Sequence, residues 1–250
     1  MKMGRVFNRW LIVLGALTVI FGACVFLLRD SRGSAVYYEG DNTVPLCANI
    51  ELDLLKCNVR LIPYDGGDIR FCYKSAVPIT VMRGDNRLVV SESDEFRLML
   101  LSDGRQDFNF TLYLPRAEYD AITVYTSAGS VYAGGVTAEQ LNIVTKSGNI
   151  EVEGCAALTR LTSGTGDIRL CFDSVTEGSG IEARSGNAEI ILPRGSSVAL
   201  SYETETGSFK SDMIKGHVEG SYMFSFSGGE TLIYADVERG TLTVNEKTGE

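Results

Sequence analysis

Residues able to do chemistry are thinly spread along this chain. Four carboxylates recur beside glycines: Asp68 and Asp167 directly follow one, and Glu151 and Glu189 come three residues after one. Paired carboxylates on one face of a repetitive β scaffold could act as general acid and base on an acidic polysaccharide. The aspartates, however, fall at turn positions where Asp is common for backbone reasons. His217 is the one histidine and lies in a loop between glycines. A serine hydrolase would have a single possible base, and a zinc centre almost no ligands. The cysteines are Cys24, Cys47, Cys57, Cys72, Cys155 and Cys171, with no CxxC among them. Five follow residue 28, an odd number that cannot pair fully within one chain. They are expected as free thiols packed like small apolar residues. GTGDI has the flavour of a calcium-binding glycine–aspartate repeat, but the nine-residue period that stacks such ligands is absent. No catalytic, cofactor-binding or metal-ligating residue is assigned, and the chain is not expected to be an enzyme.

The elements that carry these residues are repeats. GDIRFCY at 67–73 and GDIRLCF at 166–172 are nearly one phrase. Structural units are duplicated in this way far more often than catalytic motifs. From Tyr119 the chain stacks on Gly129, Gly148, Gly166, Gly186, Gly207 and Gly240, at intervals of 19, 18, 20, 21 and 33 residues. Two residues after each glycine stand Val131, Ile150, Ile168, Ala188, Phe209 and Leu242; five before it stand Val124, Ile143, Leu161, Ile181, Tyr202 and Ala235. Both columns are apolar. Period-two alternation around each glycine marks two short strands joined at a corner. Glycine accepts positive φ there without steric cost.

Three residues after the glycines come Glu151, Arg169, Glu189 and Lys210. If successive coils stack in register about 4.8 Å apart, these four form a ladder of alternating charge. Leu114-Pro115-Arg116 and Leu192-Pro193-Arg194 form a second duplicate, each proline fourteen residues before a corner glycine. Proline at a strand end stops a ladder and fixes a corner. GDIRFCY and GDIRLCF then read as one corner-plus-strand in an early and a late coil, with Cys72 and Cys171 equivalent.

The expected fold is all-β, a solenoid of 18–21-residue coils. Residues 46–118 form its irregular, capping first part and 119–211 its regular coils. Residues 212–247 form an insertion and closing coil. Within the insertion Tyr222, Phe224 and Phe226 alternate as on a capping strand, with a binding surface as the alternative reading. Leucine-rich repeats share the period but not the LxxLxLxxN pattern, and an immunoglobulin-like sandwich would not need columns in register over six units.

Before the repeats, residues 10–28 run from Trp10 to Leu28 without a charge, preceded by Lys2, Arg5 and Arg9. As a helix this stretch spans roughly 28 Å, close to a bilayer's hydrocarbon core. The cationic flank predicts a cytoplasmic tail at 1–9, a transmembrane helix at 10–28, a linker at 29–45 and an extracytoplasmic domain at 46–250. A cleaved signal peptide, or lipidation of Cys24 within IFGAC, are the competing readings; Phe21 and the apolar VFLL fit a lipoprotein box poorly. Tyr37 and Tyr38 fall in the linker. Formal charge is −9 without a basic run, so nucleic acid is not an expected partner.

The phrases TVYTSAGSVYAGGV, NIVTKSGNIEVEG, RLTSGTGDIRL and GGETLIYADVERGTLTVNEK resemble the bacterial putative-adhesin β-strand repeat family over roughly 46–247. The resemblance implies a right-handed, β-helix-like fold and a place at the cell envelope, and it transfers no catalytic or ligand residue. Two functions stay open. One is a binding, adhesion or scaffold module contacting an envelope polymer or a surface protein. The other is the outer part of a membrane-tethered regulatory system working through a protein partner, since nine cytoplasmic residues cannot hold an output domain.

Overall fold

The computed structural model describes residues 38–92, 108–213, 218–219 and 222–247. The apolar span at 10–28 with its flanks, Cys24, Tyr37, FRLMLL at 96–101 and His217 lie outside them. The described residues form β1 (Tyr38–Pro45), β2 (Asn49–Leu54), β3 (Asn58–Tyr64), β4 (Asp68–Ser75), β5 (Ile79–Arg83), β6 (Arg87–Glu92) and β7 (Asn109–Pro115). Next come β8 (Tyr119–Ala128), β9 (Val131–Gly134), β10 (Thr137–Ser147), β11 (Ile150–Thr165), β12 (Ile168–Phe172), β13 (Gly180–Ala183) and β14 (Ala188–Leu192). The chain finishes with β15 (Val198–Glu203), β16 (Ser208–Ser211), β17 (Val218–Glu219), β18 (Tyr222–Phe226), β19 (Thr231–Val237) and β20 (Thr241–Glu246).

Each coil places one strand in a back sheet, turns a corner, and places the next in a front sheet. The parallel core of the back sheet runs β6, β2, β8, β10, β11, β13, β19, β15. That of the front sheet runs β7, β3, β9, β11, β12, β14, β20, β16. β11 serves both: its start pairs in the front sheet and its second half in the back, with a bend at Gly154 (φ 60°). Alternate residues point inward, so Val124, Ile143, Leu161, Ile181 and Ala235 join Val131, Ile150, Ile168, Ala188 and Leu242 in one buried core. Burying side chains of this size contributes about 1.5–3 kcal/mol each for the larger ones, the main term opposing chain entropy.

Stack order departs from chain order at both ends. β2/β3 lies inside β6/β7, although it comes first; β19/β20 lies inside β15/β16, although it comes last. The chain therefore steps over a coil twice, after β7 and after β14. Those are the two sites of Leu-Pro-Arg, at 114–116 and 192–194. Antiparallel strands close the ends: β5 and β18 on the back sheet, β4 with β1, and β17, on the front. The segment expected as the end of a linker at 29–45 is thus strand β1 from Tyr38 onward. Within the 212–230 insertion, Phe224 stacks on Phe209 with ring centroids 4.3 Å apart, and Phe226 is buried, as a capping strand requires.

GDIRFCY is not a second coil. Residues 68–75 form β4, antiparallel to both its neighbours, whereas GDIRLCF forms β12 in the parallel stack. Both alternate with Ile, then Phe or Leu, inward. The same local pattern serves either strand direction, so Cys72 and Cys171 are not equivalent positions.

Corners are held by two columns. Gly148, Gly166, Gly186 and Gly240 have φ between 141° and 155°, and a Cβ on any of them would overlap the carbonyl of the glycine one coil away. In space Gly240 stacks on Gly186, and Gly207 follows Gly240, reversing the expected order of the last two. One residue further on, side-chain oxygens bridge coils. Ser130 N–H donates to Asn58 Oδ1 (2.9 Å), Asn149 N–H to Ser130 Oγ (3.3 Å) and Asp167 N–H to Asn149 Oδ1 (2.9 Å). Asn187 N–H then donates to Asp167 Oδ1 (2.7 Å) and Thr241 N–H to Asn187 Oδ1 (3.1 Å). Each bond satisfies a corner amide that the strand ladders leave over.

Candidate functional site

Outward residues of the front sheet form a row across the coils. Register places Arg60 beside Tyr132, then Glu151, Arg169, Glu189, Thr243 and Lys210. Arg169 is the hub. It donates to Glu151 (3.0 Å), to Glu189 (3.2 Å) and to Glu153. The hydrogen bond to Glu153, with those of its other carboxylates, holds the guanidinium pKa above its ordinary value. Three of the four expected ladder residues are therefore neighbours. Lys210 is not beside Glu189: the β19/β20 coil intervenes, and Thr243 separates them.

Alongside this row runs a groove of about 1230 Å³. Gly134, Glu153, Cys171, Ile191 and Asn245 are successive register neighbours along it. Five strands at about 4.8 Å spacing make it roughly 19 Å long. Tyr132 lies over Gly134, whose missing Cβ would sit 2.6 Å from the phenol oxygen, and the Arg60 guanidinium covers the ring at 5.6 Å. The far rim is closed by Lys247 on Asp173 (2.9 Å) and by Gly195 N–H on a Glu246 oxygen (3.0 Å). A floor of mixed apolar and polar residues between charged rims suits an extended, amphipathic chain.

The carboxylates considered for acid–base chemistry do not form a pair. Glu151 and Glu189 stand two strands apart with Arg169 between them. Asp167 is committed to the corner ladder, and Asp68 begins β4 in the cap, five strands from β12. The five cysteines after residue 28 are free. Burial pushes the Cys155 thiol up to about 11 and raises Cys57 and Cys47 as well. A nucleophilic cysteine needs the opposite shift. Among the described residues no group of side chains is arranged to hold a metal ion.

Two features escaped the sequence reading. Glu92 is buried at 7 % exposure at the inner corner, one residue past the Asp53–Ser91 pair, as Leu54, the partner of Thr126, is on β2. Its carboxylate accepts from Leu55 N–H, from Ser75 Oγ and from Cys57 Sγ (3.2 Å). The Thr column it joins was visible, but nothing marks a glutamate in SESDE as buried. The second is an acidic row on the outer back sheet, where Glu182, Asp236 and Glu203 lie in register on β13, β19 and β15. Each stands four residues before a repeat glycine (Gly186, Gly240 and Gly207), so the row was readable from the spacing, and the insertion of β19 only sets Asp236 between the two glutamates.

No curated protein matches this sequence. A solved "putative cell adhesion protein" from Clostridium sporogenes ATCC 15579 is similar in fold, with TM-score 0.53 and 15% identity over 85% of this chain and 100% of that one. A "putative adhesin" from Bacteroides fragilis NCTC 9343 aligns with TM-score 0.44 and 15% identity, over 86% of this chain and 98% of that one. In sequence, the Toastrack DUF4097 family matches residues 111–245, from β7 to the closing coil. With more than half of its length so matched, and with the stacked coils that length builds, the chain belongs to the Toastrack DUF4097 family.

Proposed function

We propose that this chain is a non-catalytic binding module of the cell envelope. Residues 10–28 hold it in the membrane with the solenoid outside, and the front-sheet groove takes an extended envelope polymer such as a wall glycan. The groove carries this reading: its floor alternates apolar positions (Gly134, Cys171, Ile191) with polar ones (Glu153, Asn245), between rims whose charges pair with one another. Sugar rings offer C–H faces to such a floor and hydroxyls to such rims. The carboxylates a hydrolase would need are held on Arg169. The similarity in fold to a protein named for cell adhesion is in keeping with this role.

The test is co-sedimentation of the detergent-solubilised full chain with purified wall sacculi. Wild type is expected to pellet, and Ile191→Glu, which replaces the floor's largest apolar side chain with a second carboxylate, to lose about tenfold in affinity with an unchanged melting temperature. Equal pelleting of the two would remove the groove from the proposal. For the anchor, alkaline carbonate should leave the protein in the membrane, and protease added from outside should digest the solenoid but spare the Met1 end. A second reading, the outer part of a regulatory system with a protein partner, draws support from the opposite face.

A further inference from the structure

The back sheet ends on β18, which among the described residues pairs only with β15. Native edges are blunted by charge, proline or shortness. The front sheet obeys this: β1 carries Glu39 and Asp41, ion-paired to Lys74 and Arg70, and β17 is two residues long. β18 reads YMFSF, without a charge, and leaves Met223 71 % and Tyr222 49 % exposed.

Two outward rows lead up to that edge. In one, Tyr234, Ser201 and Met223 are neighbours on β19, β15 and β18. Tyr234 is also exposed, so a small residue lies between two large apolar ones. Two residues along is the row of Glu182, Asp236 and Glu203, with carboxylates on adjacent strands and no cation in line. Like charges directly opposite disfavour pairing. Arg160, two residues before Thr162 on β11, lines the same shallow groove as these carboxylates from the adjacent row, and Arg184 bonds to Glu238 (3.3 Å). Burial, then Glu182 and Glu203, and beyond them Glu238 and Glu205, raise the Asp236 pKa above its ordinary value.

We propose that β18 receives an added strand from a partner protein, an extended basic segment that sets an apolar side chain beside Met223 and a Lys or Arg in line with Glu203 and Asp236. Main-chain hydrogen bonds to the open edge would supply affinity, and the two rows specificity. The added strand would run one residue past Tyr222, the partner of Tyr202, so that its cation stands two strand spacings from Glu203, about 10 Å, a gap that an extended Lys or Arg and a glutamate close between them. A second copy is a poorer occupant. Its own β18 brings the same carboxylates, and the one cation of its β5 edge, Arg83, is in register with inward-facing Leu88. This surface lies on the opposite sheet from the groove, so the two proposals fail separately.

The probe is a fluorescein-labelled octapeptide, TVTKTKTV, whose outward residues read apolar–cation–cation–apolar in either direction. Its control is TVTETETV. Anisotropy with the full chain in neutral detergent at low salt should show saturable binding of the lysine peptide and about tenfold weaker binding of the glutamate one. The double variant Glu203→Gln/Asp236→Asn, which leaves the backbone alone, should weaken the lysine peptide by a similar factor, and Met223→Pro should abolish it. Any of three results would overturn the proposal: no saturation up to about 1 mM, equal binding of the two peptides, or wild-type affinity in the charge variant. Concentration-dependent self-association lost on Met223→Pro would overturn it as well, by making a second copy the occupant.

Discussion

Replacing Gly166 by alanine adds one methyl group to a corner with no room for it. The new Cβ would lie 2.6 Å from the carbonyl carbon of Gly148, where carbon atoms prefer about 3.5–4.0 Å. Relief requires the two coils to part by about 1 Å at the corner. That stretches Gly148 N–H to Thr165 O (2.9 Å) and Asp167 N–H to Asn149 Oδ1 (2.9 Å). Two weakened bonds at roughly 0.5–1.5 kcal/mol each add to backbone strain of about 1–3 kcal/mol at φ 144°. The total, about 2–6 kcal/mol, is a large share of an ordinary folding free energy. At about 2–4 °C per kcal/mol for a domain of this size, the melting temperature should fall by roughly 10 °C. Circular dichroism at 218 nm during a thermal ramp reads it, with Lys146→Ala on the neighbouring coil as an exposed control shifting little. A Gly166→Ala protein melting within a degree of wild type would show that the coils are not stacked this closely, and would sink the corner argument.

Two other variants test electrostatics. Arg169→Met leaves Glu151, Glu153 and Glu189 facing one another. The side chain is 39 % exposed, so the expected loss is only about 1 kcal/mol, shrinking in high salt; an unchanged melting curve at low salt would show that the hub contributes nothing. Asp236→Asn probes a carboxyl whose folded pKa is raised by burial and its acidic neighbours. Protonation therefore favours the fold: this contribution is complete below the unfolded value near 3.9 and is lost as pH rises through the raised one. The asparagine protein should melt higher than wild type at neutral pH and alike at about pH 4, and a gap that stays constant with pH would contradict the assignment.

Where consecutive coils are neighbours, from β8 to β14, periodicity alone reveals glycine corners, inward columns and the contact of Glu151, Arg169 and Glu189. It fails where the chain steps over a coil, because a spacing along the sequence carries no information about which neighbour a strand meets. Spacing alone puts Lys210 beside Glu189 for that reason, where Thr243 in fact stands. The signs were present: a 33-residue interval before Gly240, and Leu-Pro-Arg at both crossovers. Asn58, Ser130, Asn149, Asp167 and Asn187 also stand as a column after the corner, readable once a bridging role for side-chain oxygens is considered. By contrast YEGDNTVP has no apolar alternation and becomes a strand only because β4 offers it an edge. Glu92 is buried by tertiary packing that no local pattern announces.

The order of the coils also governs how the molecule is made and unmade. A simple solenoid zips from one end as it is synthesised and frays from the other. Here β19 and β20, translated after β15 and β16, must insert between them and β13/β14. Until that happens, the outermost coil and its caps have nothing to dock on. Pulling on the chain after β20 would extract an interior layer and strand the one outside it, so the end cannot be peeled away strand by strand. β2/β3, trapped between β6/β7 and β8/β9, is an interior layer in the same way. Loaded along its axis, the domain is thus clasped at both ends, and its mechanical failure should be all-or-none.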